Sequence, residues 1–283
     1  MKYEINKINV AVLAGGVSTV SLFEGYTPGY KSIIPVKGRP MIQFVLDAIG
    51  EVSQVERICI VGPEKIRGAI DNSSRYEYTP GGNSVGESIF NGVRYFSDSP
   101  LVLLLPGDLP LINPLSVIDF LKKCGGIETS YDAAILWSMV PEESFTGPFV
   151  KVTKGYNRFR DVAVCHGNLL LMTPSILKNQ KIISRINAVY EVRKSSLKAA
   201  VAVGLFVGAV YAVGVHFLRA ITLKQTARIL SRHLAVEMIP VILEHPEVAV
   251  DIDTPEDYFF VQEHISWQKG DSVPKKLSLT TRG

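Results

Sequence analysis

The sequence has little with which to perform thiol, zinc or serine-triad chemistry. Its 283 residues include three cysteines, Cys59, Cys124 and Cys165, far apart and in no C-x-x-C spacing. Two lie in or beside apolar segments, so they read as buried, reduced thiols, which points to a cytoplasmic setting. The histidines, His166, His216, His233, His245 and His264, show no ligand spacing and no H-E-x-x-H, which argues against zinc. No G-x-S-x-G or Ser-His-Asp pattern is apparent. Strong charge is also missing. A formal net charge of +3, with basic residues scattered apart from Lys275-Lys276, does not imply nucleic acid as a partner. The opening MKYEINK is charged and runs into a strand without an apolar core region, so no signal peptide is expected.

Two common nucleotide motifs are absent as well. No G-x-G-x-x-G follows Leu13. The stretch Gly25-Tyr26-Thr27-Pro28-Gly29-Tyr30-Lys31-Ser32 has the wrong spacing for a P-loop and no helix after it. What is present is a 47% hydrophobic content, ample for a packed core. Ile8 to Leu13 is a β-branched, apolar run that reads as a buried strand. It breaks at Ala14-Gly15-Gly16, a polar loop runs on to Lys31, and Gly38-Arg39-Pro40 opens a helix. Strand, glycine turn, loop lysine and helix suit a phosphate-binding edge, although a plain turn fits the same residues.

The helix from Pro40 places Ile42, Val45, Leu46 and Ile49 on one face. Arg57 to Val61 reads as a strand, Pro63 to Ile70 as a short helix and Tyr76 to Tyr78 as a short strand. Ser84-Val85-Gly86-Glu87 is a capping box for a helix carrying Ile89, Val93 and Phe96. Leu101 to Leu105 is wholly apolar, as in the centre of a parallel sheet. It ends at Pro106-Gly107-Asp108, and Asn113-Pro114 starts the next helix. This alternation predicts a doubly wound α/β sheet, with ligands at the strand carboxyl ends where Gly15, Gly16 and Asp108 all lie. Further strands are expected at 133–139, 149–153, 168–172, 236–243 and 248–252. A helix is expected from Pro174, one over 222–234 capped by Thr222 with Gln225, and a last one starting at Thr254-Pro255. One domain should cover residues 1–266, with a helical insertion at about 190–235 and a disordered tail over 267–283.

Residues 199–218 form an uncharged apolar run long enough to span a bilayer, with a Gly204-x-x-x-Gly208 spacing. A span would separate residues 219–283 from the sheet, so a buried helical insertion is the reading adopted. Membrane contact and an oligomer interface through 199–218 remain its alternatives.

Asp251 and Asp253 sit inside the apolar segment VAVDID, two apart on what looks like a strand, so their side chains should point the same way. Helix-start chemistry explains Thr254 to Asp257 but not these two. Acidic groups ending buried strands need a counter-charge or a metal. Asp108 poses the same problem. Carboxylates from such distant segments suit one Mg²⁺, with phosphate oxygens and water completing its shell.

Taken together, strand-L-A-G-G, a lysine about fifteen residues on, G-x-P-M-I, then G-D-x-P-L-I and a distal D-x-D-T-P-E-D resemble a family of nucleotidyltransferases. It includes molybdenum-cofactor guanylyltransferase (the MobA-like group) and the sugar-phosphate and methylerythritol-phosphate nucleotidylyltransferases. The resemblance covers roughly residues 8–115 and 236–265. It implies a Rossmann-like mixed sheet of the nucleotide-diphospho-sugar transferase type. It further implies Mg²⁺-dependent attack by an acceptor phosphate on the α-phosphorus of an NTP, releasing pyrophosphate. Leu13-Ala14-Gly15-Gly16 would meet the phosphates, Lys31 would steady the triphosphate, and Asp108 with Asp253 and Asp251 would hold the metal. Gly82, Asn83 and Ser84 would meet the base or ribose. Lys151, Arg158 and Arg160 could grip an acceptor phosphate, although a solvated loop is the reading adopted for them, and Asn168, after Gly167, resembles the Gly-Asn that borders the acceptor in related enzymes.

Two departures stand out. The family's loop arginine, expected near Val20, is absent, so either Lys31 acts without that help, or Lys37 or Arg39 approaches, or the triphosphate chemistry is weakened. The insertion is absent from the short guanylyltransferases, and it is expected to shape the acceptor pocket or an oligomer contact. Alternative readings are guanylyl transfer to molybdopterin, a non-catalytic nucleotide-binding regulator, and a membrane-associated transferase for a lipid-linked precursor.

Overall fold

The computed structural model describes residues 5–26, 29–127, 131–192 and 220–265. The strands are β1 (Ile8–Leu13), β2 (Val55–Val61), β3 (Glu77–Thr79), β4 (Val102–Pro106), β5 (Ala134–Pro141), β6 (Ala163–Met172) and β7 (Glu237–Ile242). They form one mixed sheet in the order β7-β5-β6-β4-β1-β2-β3, with a short strand at Asn157–Arg158 paired to β6. The first four strands are mutually parallel, and β7 is parallel to β5. Only β6 among these seven is inverted, pairing antiparallel to both β4 and β5. Residues of β1 and β4 face each other as Val10 to Leu103 and Val12 to Leu105. Both strands are covered on both faces, which is why they read as unbroken apolar runs.

The six α-helices among the described residues are α1 (Met41–Gly50), α2 (Val85–Tyr95), α3 (Pro114–Cys124), α4 (Gln180–Val192), α5 (Leu223–Leu234) and α6 (Pro255–His264). On one face of the sheet, Val10, Val12, Leu103 and Leu105 pack with Val45 and Ile49 of α1 and Phe120 of α3. On the other, Ala11, Val61 and Leu104 pack with Phe90 and Val93 of α2 and Ile186 of α4. Burying each such side chain contributes about 1.5–3 kcal/mol. Helix α2 lies so close to the sheet that a Cβ on Gly92 would stand 2.8 Å from that of Ala11. The doubly wound expectation is met, and β1 and β4 form its switch point, where crossovers leave in opposite directions.

The helix starts follow their expected chemistry. Asn113 Oδ1 accepts from Ser116 N–H at 3.0 Å, and both Thr222–Gln225 and Thr254–Asp257 are complete capping boxes. At Ser84 the box is shifted. The hydroxyl accepts from Glu87 N–H, but the Glu87 carboxylate takes Asn83 N–H, one residue before the cap.

Two expected strands are corrected. Phe149 to Thr153 falls largely in a 3₁₀ turn, Gly147–Lys151, whose Phe149 ring packs on Phe260 of α6. Val248 to Ile252 is the end of another, Pro246–Ala249, followed by irregular chain. Both are apolar because they pack, not because they pair. The strand expected at 168–172 starts earlier, at Ala163. Pro63–Ile70 holds a 3₁₀ rather than an α-helix, and the turn at Pro174 is 3₁₀ before α4 begins. All three cysteines are free and buried, as expected. The apolar run 199–218 and the tail 267–283 lie outside the described residues. Among the described residues no helix is long and apolar enough to cross a membrane.

Candidate functional site

The carboxyl ends of β1 and β4 are bonded together, since Gly107 N–H donates to Leu13 O at 2.8 Å. The loop after β1 closes back on the same place. Lys31 N–H donates to Gly16 O at 2.8 Å, and the Ser32 hydroxyl donates to Ala14 O at 2.9 Å. Lys31 therefore enters the switch point from a short 3₁₀ turn pinned at its base. Its ammonium meets Asp108 Oδ2 at 3.4 Å and forms a short ion pair with Asp253. Lys31 and Asp108 side chains are 15% and 16% exposed, whereas Asp253 is 63% exposed. The outer carboxylate thus lies at the mouth and the inner one at the floor.

Burial works to lower the pKa of Lys31, but Asp108, Asp253 and the more distant Asp251 outweigh it, so the ammonium is held charged. Burial pushes Asp108 up to about 6, with Lys31 opposing and Asp251 reinforcing the rise. At neutral pH the floor of the site is a charged pair that is costly to keep dry.

Asp251 and Asp253 do not point the same way. The segment is irregular chain rather than strand, so the period-two argument fails there. Asp253 turns to Lys31, while Asp251 takes Lys154 Nζ at 3.2 Å. Among the described residues no three acidic, histidine or cysteine side chains converge as a metal cage. Yet Asp108 and Asp253 converge on one cation, the Lys31 ammonium. Two hard carboxylates suffice for Mg²⁺, which takes the remainder of its shell from phosphate and water. The donor set fits that ion.

Gly15 and Gly16 have no positive φ, and a Cβ on either would meet no atom within 4 Å. The fold does not demand glycine there, whereas close approach by a ligand would. Gly82 differs, because a Cβ there would run into Glu87. The Ser84 hydroxyl and Asn83 N–H are engaged in starting α2.

Of the residues expected to meet an acceptor, Arg158 is forked onto Glu142 at 2.6 and 2.7 Å. Arg160 is exposed, and its N–H donates to Ile221 O at 3.0 Å. Asn168 donates to Val248 O at 3.1 Å, from a bulge where three residues of β6 oppose Ser138. Neither basic residue expected to substitute for the missing arginine is drawn to the site. Arg39 pairs with Asp47 at 2.8 Å over the Phe44 ring, and Lys37 lies at a hairpin tip with its N–H on Gln262. Sequence reasoning missed Lys154. A lone lysine between glycines and aromatics carries no signal until its partner, 97 residues away, is known.

Residues 10–168 match the family model for the MobA-like NTP transferase domain. That stretch is more than half of the chain and includes Lys31, Asp108 and Lys154. The chain is 30% identical over 118 residues to a 2-C-methyl-D-erythritol 4-phosphate cytidylyltransferase of Prochlorococcus marinus, covering 40% of this chain and 51% of that protein. It is 26% identical over 147 residues to the bifunctional protein GlmU of Thermoanaerobacter pseudethanolicus, covering 50% and 32%. The chain therefore spans about a quarter to a half of the length of the curated relatives it matches. Among solved structures, a hypothetical transferase from Thermus thermophilus superposes with a TM-score of 0.72 at 26% identity, covering 89% of this chain and 99% of that one.

Proposed function

Since the chain belongs to the MobA-like NTP transferase family, we propose that it is a nucleotidyltransferase moving an NMP from an NTP to a phosphorylated small molecule. The observation that carries this reading is Lys31, clasped by Asp108 and Asp253 beside the open backbone of Gly15 and Gly16. The acceptor phosphate oxygen bonds to the α-phosphorus, the bond from that phosphorus to the bridging oxygen breaks, and pyrophosphate leaves with the electron pair. Such a displacement needs positioning and charge neutralisation more than covalent help. Lys31 neutralises triphosphate oxygens, and the amides at Gly15 and Gly16 orient them. Asp108 and Asp253 are the residues that would hold Mg²⁺, which when bound offsets phosphate charge. Leu13 and Ala14 set the loop's direction, and Gly82, Asn83 and Ser84 form the base-side wall at the start of α2.

The insertion belongs to the acceptor side in this reading. Its described exit is bonded to the acceptor loop, Ile221 O to Arg160 N–H and Leu223 N–H to Asp161, both at 3.0 Å. Buried cysteines suit a cytoplasmic enzyme. A second reading, nucleotide binding without turnover, is favoured by the loop 16–22, which lacks arginine while Arg39 is engaged elsewhere.

Thermal shift and pyrophosphate release with CTP, GTP, UTP and ATP, each with and without Mg²⁺, separate the readings. Stabilisation by one NTP with Mg²⁺ is expected, by mass action. Binding without pyrophosphate release across phosphorylated acceptors supports the second reading. No shift with any NTP refutes both, and the same shift in Asp108→Ala refutes the metal-nucleotide site built on Asp108.

A further inference from the structure

Lys154 is the feature the proposed reaction leaves unused. It lies in the loop between the 3₁₀ turn Gly147–Lys151 and β6, with its side chain 18% exposed, and its ammonium is clasped by Asp251. Asp251 in turn acts on both Lys31 and Asp108 across the site. Two lysines from distant parts of the chain, one after β1 and one before β6, are thus held by two aspartates of one three-residue segment, Asp251-Ile252-Asp253.

The charges make this arrangement informative. Three carboxylates face two ammonium groups, so both lysines are neutralised by protein before any substrate enters. A cation drawn to the carboxylates weakens the hold on both ammonium groups together. The reaction brings together two phosphate-bearing substrates. Lys31, bonded through its own backbone to Gly16, belongs to the triphosphate wall. Lys154 lies on a different segment, before β6, with its ammonium on Asp251, and the reaction requires one further phosphate, the acceptor's.

We propose that Lys154 is a specificity-determining residue that binds the acceptor's phosphate, with Asp251 as the clasp that keeps it in place until that phosphate arrives. The inference rests on the nucleotidyl-transfer reading. It explains why a lysine should be largely withdrawn from water beside Val152 and Tyr156, which pack against the core. It also gives the paired aspartates separate tasks, Asp253 for Lys31 and Asp251 for Lys154.

The test uses the full chain with Mg²⁺ and the α,β-methylene analogue of whichever NTP stabilises it, and inorganic phosphate as the acceptor probe. Lys154→Met should weaken phosphate, followed by ³¹P line broadening, about ten- to a hundredfold. Affinity for the analogue should change less than about twofold. Lys154→Arg should restore part of the phosphate affinity, and Lys31→Met should show the opposite split. Should Lys154→Met not fold, amine acetylation of the native protein gives the same answer. Phosphate should protect Lys154, and the analogue should protect Lys31. If the analogue binds but phosphate neither protects Lys154 nor depends on it, or if Lys154→Met loses both ligands equally, the inference is wrong and the transferase reading survives. If no analogue binds the native protein, the transferase reading fails first.

Discussion

Replacing Asp108 with asparagine should make the ligand-free protein more stable while abolishing its chemistry. Burial holds the Asp108 carboxyl at about 6 against an ordinary 3.8. That difference corresponds to about 3 kcal/mol of destabilisation once the group is ionised. That figure already includes the opposing pull of Lys31. The gain is therefore about 2–3 kcal/mol, or roughly 3–5 °C in Tm for a chain of this size. The sign follows from proton binding. The folded carboxyl holds its proton more tightly than the unfolded one, so the contribution of Asp108 to stability is greatest below pH ~4, falls between about 4 and 6, and levels off above. The Tm advantage of Asp108→Asn should be near zero at pH 4 and widest above pH ~6.5. Calorimetry from pH 4 to 8 in EDTA measures it directly. A variant less stable than the native protein at pH 7.5, or an advantage independent of pH, would show that the Lys31 pair outweighs the burial cost. Adding Mg²⁺ and the preferred NTP should reverse the order, because only the native protein gains from them.

Three further substitutions probe the rest of the site. Gly16→Ala should leave Tm unchanged or slightly raised, by up to about 1 kcal/mol, yet weaken NTP in a binding titration; equal affinity would remove the case for close approach. Gly92→Ala should do the reverse in denaturant melts, losing about 1–3 kcal/mol as its methyl meets Ala11, with NTP affinity retained in the folded fraction. Asn168→Ala leaves the buried Val248 carbonyl without that donor and should cost about 1 kcal/mol; a slower transfer rate measured at saturating NTP would mark it as a positioning residue for the segment ending at Asp253.

Much of the first half of the chain was legible because its signals are local. β1 and β4 are runs that only a doubly covered strand accommodates, and Asn113 is a cap that acts within three residues. Asp108 was found because it stands at a strand end, where a doubly wound sheet gathers its ligands, and Lys31 because it is the loop lysine that the family resemblance matched. The second half was less legible because its apolar segments are defined by distant partners. Phe149 is apolar for the sake of Phe260, and Val248 for the sake of the core beneath β6. Alternation alone made each look like a strand. The divergence of Asp251 and Asp253 was hidden for the same reason, since the irregular backbone there removes the period on which the expectation stood. Lys154 needed knowledge of a contact that no local pattern encodes.

The inverted strand β6 also has a consequence for how the molecule assembles. Both sheet neighbours of β5 lie later in the chain, at 163–172 and 237–242, so β5 has no sheet partner until one of them is in place. β1 to β4, by contrast, already pair among themselves within the first 106 residues. Long-range pairing of this kind is slow to form because loop closure comes before the contacts that reward it. Lys31 and Asp108 belong to the early block, whereas Asp253 arrives only after the last strand. A ligand held between Asp108 and Asp253 would therefore fasten the first-made part of the sheet to the last-made part.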